Sequence, residues 1–172
     1  WFIIGNAYGE IDFLKGFTAR TSIGYNISNS YYSNFSTTQV ENVQANTSPN
    51  SLSVSANYSS RMTFTNTLRY RNTFAGKHNL EAMIGSEAIK DVGRGVSGSR
   101  EVFFSEDSNY LVLGSGTQAT NNSSSISMES LYSLFFRADY NFNNKYYFGA
   151  TIRRDGSSKF GPDARYGIFP AF

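Results

Sequence analysis

The alternation of side chains between Leu52 and Tyr70 restricts the fold of this chain more than any other feature. In this segment the even-numbered positions are mostly apolar, and the odd-numbered positions are small, polar or cationic. Successive side chains on a β-strand point to opposite faces, so an alternation kept for 19 residues predicts one long strand with two different faces. At about 3.3 Å per residue this strand would span roughly 60 Å. Soluble sheets mostly use strands of about 3 to 10 residues, so the pattern favours a transmembrane β-barrel.

The composition is compatible with strand spans and excludes helical ones. The 172 residues are 40% hydrophobic and their mean hydropathy is -0.38. A transmembrane helix needs about 20 consecutive apolar residues, whereas the longest apolar runs, such as Trp1 to Ile4, are much shorter. Alternation lowers the average hydropathy of a barrel strand, so a low value does not exclude a barrel. The 15 Phe and 12 Tyr residues suit strands and the aromatic girdles of barrels.

Charge and residue content exclude several other functions. The formal net charge is +2, with 15 basic and 13 acidic side chains. The sequence therefore lacks the excess of basic residues that is typical of nucleic-acid-binding proteins. The absence of cysteine excludes disulfides and thiolate metal sites. His78 is the single histidine, so neither a catalytic group nor a metal cluster that requires several histidines can form. The sequence therefore predicts a protein that is not an enzyme and uses no cofactor or metal ion.

The same alternation predicts six strands, at 1–13, 17–27, 52–70, 78–89, 126–142 and from 146 onward. Short connections follow residues 13, 71 and 142, and long ones follow residues 28, 90 and 154. Short periplasmic turns that alternate with long extracellular loops are typical of bacterial outer-membrane barrels. Barrels need about eight strands to close, and open sheet edges do not occur in lipid. The chain is therefore expected to be a segment of a larger barrel, cut at both ends and without a visible export signal.

The C-terminal third carries motifs of a known family. The run Ser133–Phe142 is followed by Lys145-Tyr146-Tyr147, then by 153–161 and 165–170. These residues closely resemble the SusC/RagA family of TonB-dependent outer-membrane transporters from the Bacteroidota. The residues of the most specific motif, interpreted as structural, are Arg154, Asp155, Gly156, Ser157, Ser158, Phe160, Gly161, Tyr166, Gly167, Phe169 and Pro170. A weaker likeness extends upstream to Gly76-Lys77-His78 and Gly85-Ser86-Glu87, and the first fifty residues match only in general style.

The resemblance implies an all-β fold, with residues 1–172 forming about six strands of an antiparallel 22-stranded barrel. It also implies an N-terminal plug and a TonB box that lie outside this segment. The whole transporter would sit in the bacterial outer membrane and import oligosaccharides or peptides with energy relayed by TonB. Its implied partners are outer-membrane lipids, TonB, a glycan or peptide ligand and a SusD-like surface lipoprotein that acts as a lid.

Three groups of residues are candidates for contact with a ligand or a lid. Phe103, Phe104 and Tyr110 lie in the predicted loop 90–125, and aromatic rings on loops of a rigid scaffold stack on sugars and dock protein lids. Packing within the loop is the alternative. Arg154 and Asp155, with Arg153, would contact substrate at the top of the lumen or form ion pairs that hold the end of the strand. Further charges on the predicted polar faces would bind a polar ligand or pair between strands and with the plug: Arg61, Arg69, Arg71, Glu129, Arg137 and Asp139.

Two further interpretations stay open at the level of sequence. Glu101, Glu106 and Asp107 could ligate calcium, although they lack the oxygen spacing of a dedicated calcium loop. The alternative to a transporter is a secreted or surface-exposed soluble β-sheet protein, an adhesin or glycan-binding module. In that protein the alternation would reflect a core on one side of the sheet.

Overall fold

A computed structural model describes residues 1–41 and 46–172 of the chain. The strands are β1 (Phe2–Phe13), β2 (Phe17–Ser36), β3 (Gln39–Glu41), β4 (Asn46–Ser48), β5 (Ser51–Phe74), β6 (His78–Phe103), β7 (Gly116–Phe142), β8 (Tyr146–Ser157) and β9 (Tyr166–Ala171). Single 3-10 turns occur at Ser108–Tyr110, Leu113–Ser115 and Pro162–Ala164. Within the described residues, no helix has the length and apolar character needed to cross a bilayer.

Seven of the strands form one antiparallel sheet in the order β1-β2-β5-β6-β7-β8-β9. The short strands β3 and β4 pair with each other in a separate two-stranded sheet. Strands β5, β6 and β7 have 24, 26 and 27 residues, far above the usual length in soluble sheets of about 3 to 10. The alternation found in the sequence therefore correctly indicated very long strands in an all-β antiparallel fold.

The strands extend further than the sequence predicted, and the sheet has seven strands rather than six. Strand β2 continues to Ser36, and β6 and β7 continue into the predicted loop 90–125, which leaves only 104–115 as their connection. The chain after Ser157 returns as β9 instead of forming a long loop. Polar Ser, Thr, Asn and Gly residues form ladder hydrogen bonds as any residue does, so a strand can continue after the apolar alternation ends. Part of the predicted loop 29–51, residues 42–45, lies outside the described residues.

The three predicted short connections are confirmed as tight turns at Leu14–Gly16, Ala75–Lys77 and Asn143–Lys145, the second of which begins after Phe74 rather than after Arg71. Gly16 has a φ of +84°, and a Cβ there would overlap the carbonyl of Arg71. The amide of Arg71 donates a hydrogen bond to the carbonyl of Gly16 at 2.8 Å, so this turn is held against β5. In the third turn Asn143 and Asn144 both have a φ of +53°, a conformation that Asn adopts more readily than most residues.

The described residues divide into two compact units. The loop unit contains 1–2, 27–59 and 92–127, and the turn unit contains 3–26, 60–91 and 128–172. In the turn unit the apolar side chains of β7 and β8 share a face, because the register sets Phe136 opposite Ile152. We call the side that bears Met62, Phe136 and Ile152 the apolar face, and the opposite side the polar face.

The apolar face of the turn unit is exposed rather than covered. Leu134 and Phe136 each expose 43% of their surface, and Ile152 exposes 47%. Among the described residues the buried hydrophobic side chains are Leu52 and Phe103, both in the loop unit. A soluble sheet would bury its apolar face against a second layer. The described sheet has no such layer on this side, which favours the membrane interpretation over the soluble one.

One aromatic residue interrupts the polar face. Phe135 has the odd-numbered position of a polar-face residue, and its ring lies over Gly85 of β6 so closely that a Cβ at Gly85 would overlap it. The guanidinium of Arg153 is 5.9 Å from the centre of the same ring. The absence of a side chain at Gly85 thus allows an aromatic ring to lie against the neighbouring strand.

Candidate functional site

The polar face of the turn unit is crossed by ion pairs between neighbouring strands. Arg61 of β5 binds Asp91 of β6 through two hydrogen bonds, Nε to Oδ1 at 2.6 Å and Nη2 to Oδ2 at 2.9 Å. Arg71 of β5 donates to Glu81 of β6 at 2.6 Å. Bidentate guanidinium–carboxylate pairs fix the geometry of both partners. For Arg61 and Arg71 the structure shows the predicted inter-strand pairing.

Three of the other predicted charges, Arg137, Asp139 and Glu129, are paired differently. Arg137 pairs with Asp139 of its own strand at 2.6 Å, and Glu129 accepts from Lys159 at 2.9 Å. Each of these pairs is substantially solvent-exposed, so each contributes little to stability. Their effect is to organise the polar face rather than to supply most of its stability.

Arg153 is the centre of a larger network on this face. Its Nε donates to Asp155 Oδ1 at 2.7 Å, and its Nη2 donates to Glu87 Oε1 and to Ser133 Oγ, both at 3.0 Å. Ser133 is fully buried, and the network joins β6, β7 and β8. The alternation of β8, in which Tyr147, Gly149, Thr151 and Arg153 share a side, already predicts Arg153 on the polar face.

Arg154 and Asp155 lie on opposite faces of the sheet. The register places Arg154 directly between Leu134 of β7 and Ile168 of β9, on the apolar face. Its guanidinium lies 4.3 Å from the centre of the Tyr166 ring. The two residues were expected either to contact substrate at the top of the lumen or, with Arg153, to form ion pairs that hold the end of the strand. The structure shows the ion pair between Asp155 and Arg153, and ligand contact stays a prediction for both Arg154 and Asp155.

The family motif connects β7, β8 and β9 through the backbone. The amide of Ser158 donates to the carbonyl of Ser130 at 2.9 Å, and the amide of Ser130 donates to Ser158 Oγ at 2.8 Å. The amide of Ser157 donates to the carbonyl of Arg165 at 3.0 Å. Gly156 lies under the ring of Tyr166, so close that a Cβ there would be 2.8 Å from Cδ1. These contacts all lie at the end of β8 and hold its connection to β9.

The other motif residues follow the same connection. The amide of Phe160 donates to the carbonyl of Ser157, and Gly161 precedes the 3-10 turn at Pro162–Ala164. Gly167 leaves space for the ring of Phe169, since a Cβ there would be 2.9 Å from Cζ. Pro170 pairs with Ile152 in the register of β8 and β9.

In the loop unit, Phe103 is a packing residue. It is 7% exposed, and its ring packs edge-on against Phe35 with centres 5.7 Å apart. Its amide donates to Asn50 Oδ1 at 2.7 Å, and its carbonyl accepts from Asn50 Nδ2 at 3.1 Å. For Phe103 the structure therefore shows the alternative of packing within the loop.

Phe104 and Tyr110 form an exposed aromatic pair beside this buried residue. They are 74% and 51% exposed, and their ring centres are 5.2 Å apart at an interplanar angle of 62°. Asp107 lies between them in sequence, and its Oδ1 accepts from the amide of Asn109 at 2.9 Å, which starts the 3-10 turn at Ser108–Tyr110. The turn places Tyr110 where its ring can meet Phe104.

The acidic residues of this connection serve as hydrogen-bond acceptors. Glu106 Oε1 accepts from the amide of Thr38 at 3.0 Å and from Asn50 Nδ2 at 3.5 Å. The bond from the Thr38 amide, supported by the one from Asn50, lowers the pKa of Glu106 below its usual value. Within residues 1–41 and 46–172 no group of three or more His, Asp or Glu side chains could hold a metal ion.

A cavity of about 610 Å³, lined by both polar and apolar side chains, lies in the turn unit near the tight turns. Its lining includes Arg71, Glu81, Asp139, Asn141 and Tyr147. Asn141 Oδ1 is buried there without a hydrogen-bond partner among the described residues. The polar face therefore offers hydrogen-bonding groups beyond those used in its ion pairs.

These features together define a class of structure. One antiparallel sheet of very long strands exposes an apolar face and carries paired charges on the other, and three tight turns alternate with longer connections. This is the construction of a wall segment in a large transmembrane β-barrel.

Comparison with known proteins places the segment within that class. No protein-family model matches the chain. It is 29% identical over 176 residues to TonB-dependent receptor P3 of Formosa agariphila, a match that covers 96% of this chain and 16% of the receptor. It is 28% identical over 172 residues to TonB-dependent receptor P39 of the same organism, with 95% and 16% covered. The chain thus spans about one sixth of the length of these relatives.

Solved structures of a transporter also match this chain over a part of their length. The structure of the RagAB peptide transporter matches with a TM-score of 0.87 and 26% identity, over 97% of this chain and 18% of that one. The RagAB peptide importer in its closed-closed state matches with a TM-score of 0.88 over 98% and 19%. The chain therefore resembles a SusC/RagA-like barrel segment, and the proteins it matches are TonB-dependent receptors and a peptide transporter.

Proposed function

We propose that residues 1–172 form part of the barrel wall of an outer-membrane transporter that imports oligosaccharides or peptides. TonB would supply the energy through a plug and a TonB box outside this segment. The observation that carries the proposal is the exposed apolar face of the turn unit. It bears large side chains such as those of Phe136 and Ile152, and the strands of the sheet reach a length of 27 residues. The names of the relatives, TonB-dependent receptors and a peptide transporter, support it.

In this proposal the two faces of the turn unit have different tasks. The apolar face contacts acyl chains, where each buried Å² of apolar surface contributes about 25 cal/mol. The polar face lines a water-filled lumen that also accommodates the plug, and its Arg61–Asp91 and Arg153–Glu87 pairs keep the wall rigid. The cavity beside Asn141 would receive a hydrogen-bond donor from the lumen.

The loop unit would supply contacts outside the membrane. Phe104 and Tyr110 form an exposed pair on a short turn that buried Phe103 and Asn50 hold in place. Such a rigid, amphipathic surface suits docking of a SusD-like surface lipoprotein or stacking against a bound glycan or peptide. Asp155, on the polar face, is the second proposed ligand contact.

Labelling of adjacent residues on β8 tests the orientation directly. The segment has no cysteine, so Ile152→Cys and Thr151→Cys can each be introduced into the full-length protein and labelled with a fluorophore after native cysteines elsewhere are replaced. In vesicles that contain brominated phospholipid, the label at residue 152 should be quenched and the label at residue 151 should not.

Equal quenching at both positions, or none at residue 152, would contradict the proposal. A soluble surface module makes a different prediction for the same protein. It would be released from cells by a salt wash, whereas a barrel needs detergent and migrates differently on gels before and after heating.

A further inference from the structure

The apolar face of the turn unit contains a groove with a cationic rim. The groove has a volume of about 400 Å³, and the side chains that line it include Met62, Ala88, Tyr132 and Tyr166. Met62 comes from β5, Ala88 from β6 and Tyr132 from β7, so the groove crosses three adjacent strands. Its mainly apolar lining suits part of a hydrocarbon chain, which a flat sheet surface would not hold at a fixed place.

Three cations surround this groove. Lys90 and Arg165 line it directly, and Arg154 lies over the ring of Tyr166, which forms one wall. Neither Asp nor Glu occurs among the groove's lining in the described part of the chain. A cation on the membrane-facing side is costly within hydrocarbon and is tolerated where its head group reaches the interface. The rim therefore marks the level of the lipid head groups.

The arrangement is specific for an anionic amphiphile. Arg binds phosphate oxygens through parallel N–H donors, and Lys adds a compact charge. Cations next to an apolar surface recognise lipid phosphates, whose charge lies at the same depth as the rim. A ligand in the lumen would meet the opposite face, where Arg153 and Asp155 already bind each other.

We propose that this groove is a binding site for an anionic phospholipid, whose phosphate charge is not balanced by a cation in its own head group. One acyl chain would lie against Met62, Ala88 and Tyr132, and the phosphate would lie between Lys90, Arg154 and Arg165. The inference rests on the proposed function, because it requires the apolar face to lie in a bilayer. The proposal adds one lipid bound at a defined position to an apolar face whose other lipid contacts are non-specific.

Native mass spectrometry of the delipidated full-length protein tests the proposal. The protein is offered equal amounts of dioleoyl phosphatidylglycerol and dioleoyl phosphatidylcholine, and we expect it to retain the anionic lipid preferentially. The triple variant Lys90→Gln, Arg154→Gln, Arg165→Gln should lose at least about tenfold of that preference, because three phosphate contacts are removed. The control variant Lys15→Gln, Lys77→Gln, Lys145→Gln removes the same charge from the three tight turns and should keep it.

Other measurements keep the test decisive if the triple variant assembles poorly. Ala88→Phe fills the groove and should reduce retention of the lipid without changing charge. Equal retention of both lipids by the unaltered protein, or an equal loss in the two triple variants, would overturn the site. Displacement of the lipid by inorganic phosphate at similar concentration would show a free-anion site and contradict the acyl-chain part. Failure of the lipid test in a protein that passes the quenching test removes this site alone and leaves the barrel intact.

Discussion

The turn unit and the loop unit are built from the same long strands but are held by different interactions. In the turn unit the polar face is organised by cross-strand ion pairs such as Arg61–Asp91, and the apolar face is left for the surroundings. The loop unit contains the two buried hydrophobic side chains found among the described residues, Leu52 and Phe103. Its distinctive bonds join a side chain to backbone far away in sequence, as between Asn50 and Phe103. The turn unit therefore depends on its surroundings to cover its apolar face, whereas the loop unit has a small hydrophobic core of its own.

Reversing the polarity of one wall position should give the largest effect. Leu68→Arg places a cation on the apolar face of β5, where an Arg near the middle of a bilayer costs up to about 4 kcal/mol. Thr67→Arg places the same side chain on the polar face, one residue away. We expect the first variant to reduce the yield of assembled full-length barrel strongly and the second to leave it nearly unchanged, as measured by heat-modifiable migration. Similar yields for the two variants would refute the assigned faces.

Removing the core of the loop unit should give the next largest effect. Phe103→Ala deletes a buried ring at a cost of about 3 kcal/mol, the low end for such a deletion because the cluster is small. We expect faster cleavage of the connection 104–115 by protease on intact cells, with normal assembly of the barrel. Phe104→Ala is the matched control, because its side chain is 74% exposed and should not protect the connection. If a SusD-like lipoprotein docks on Phe104 and Tyr110 as proposed, Phe104→Ala should weaken its binding.

Removing the hub of the polar network should give a moderate effect. Arg153→Gln leaves the carboxylates of Glu87 and Asp155 beside each other without their cation, at a cost of about 1 to 2 kcal/mol, since the site is partly hydrated. The midpoint of denaturant unfolding of the full-length protein should fall. Arg154→Gln changes the adjacent residue on the other face and should shift the midpoint less. A larger shift for Arg154→Gln would contradict the division of the two arginines.

Acidification should affect the loop unit through Glu106, and this effect is expected to be the smallest. Its pKa is lower in the folded chain than in the unfolded chain, chiefly because of the Thr38 amide. The stabilisation is therefore complete above the unfolded pKa of about 4.3 and is lost as the pH falls through the folded value. Protease cleavage at 104–115 should increase as the pH drops below 4, using an acid-active protease. Glu106→Gln should flatten this dependence, and an unchanged profile would exclude Glu106 as its source.

The sequence predicted the wall better than the loops for a physical reason. Even and odd positions of a strand lie on opposite faces, so positions such as Met62 and Phe136 show directly which face is apolar. The same rule places Arg154 on the face of Ile152, although the family motif lists Arg154 next to Asp155. The ends of the strands were not predictable in this way, because polar segments show no contrast between faces. The burial of Phe103 depends on Asn50, 53 positions earlier, and no local pattern reports such a contact.

The ring of Phe135 over Gly85 has a consequence for the exchange of backbone hydrogens with solvent. An aromatic ring packed over a residue without a side chain keeps water from the peptide groups beneath it, on a face that is otherwise hydrated. Deuterium should therefore enter the backbone around Gly85 more slowly than at other residues of β6 on the same side. The backbone around Gly85 would then be the part of the polar face that is most strongly protected from hydrogen exchange.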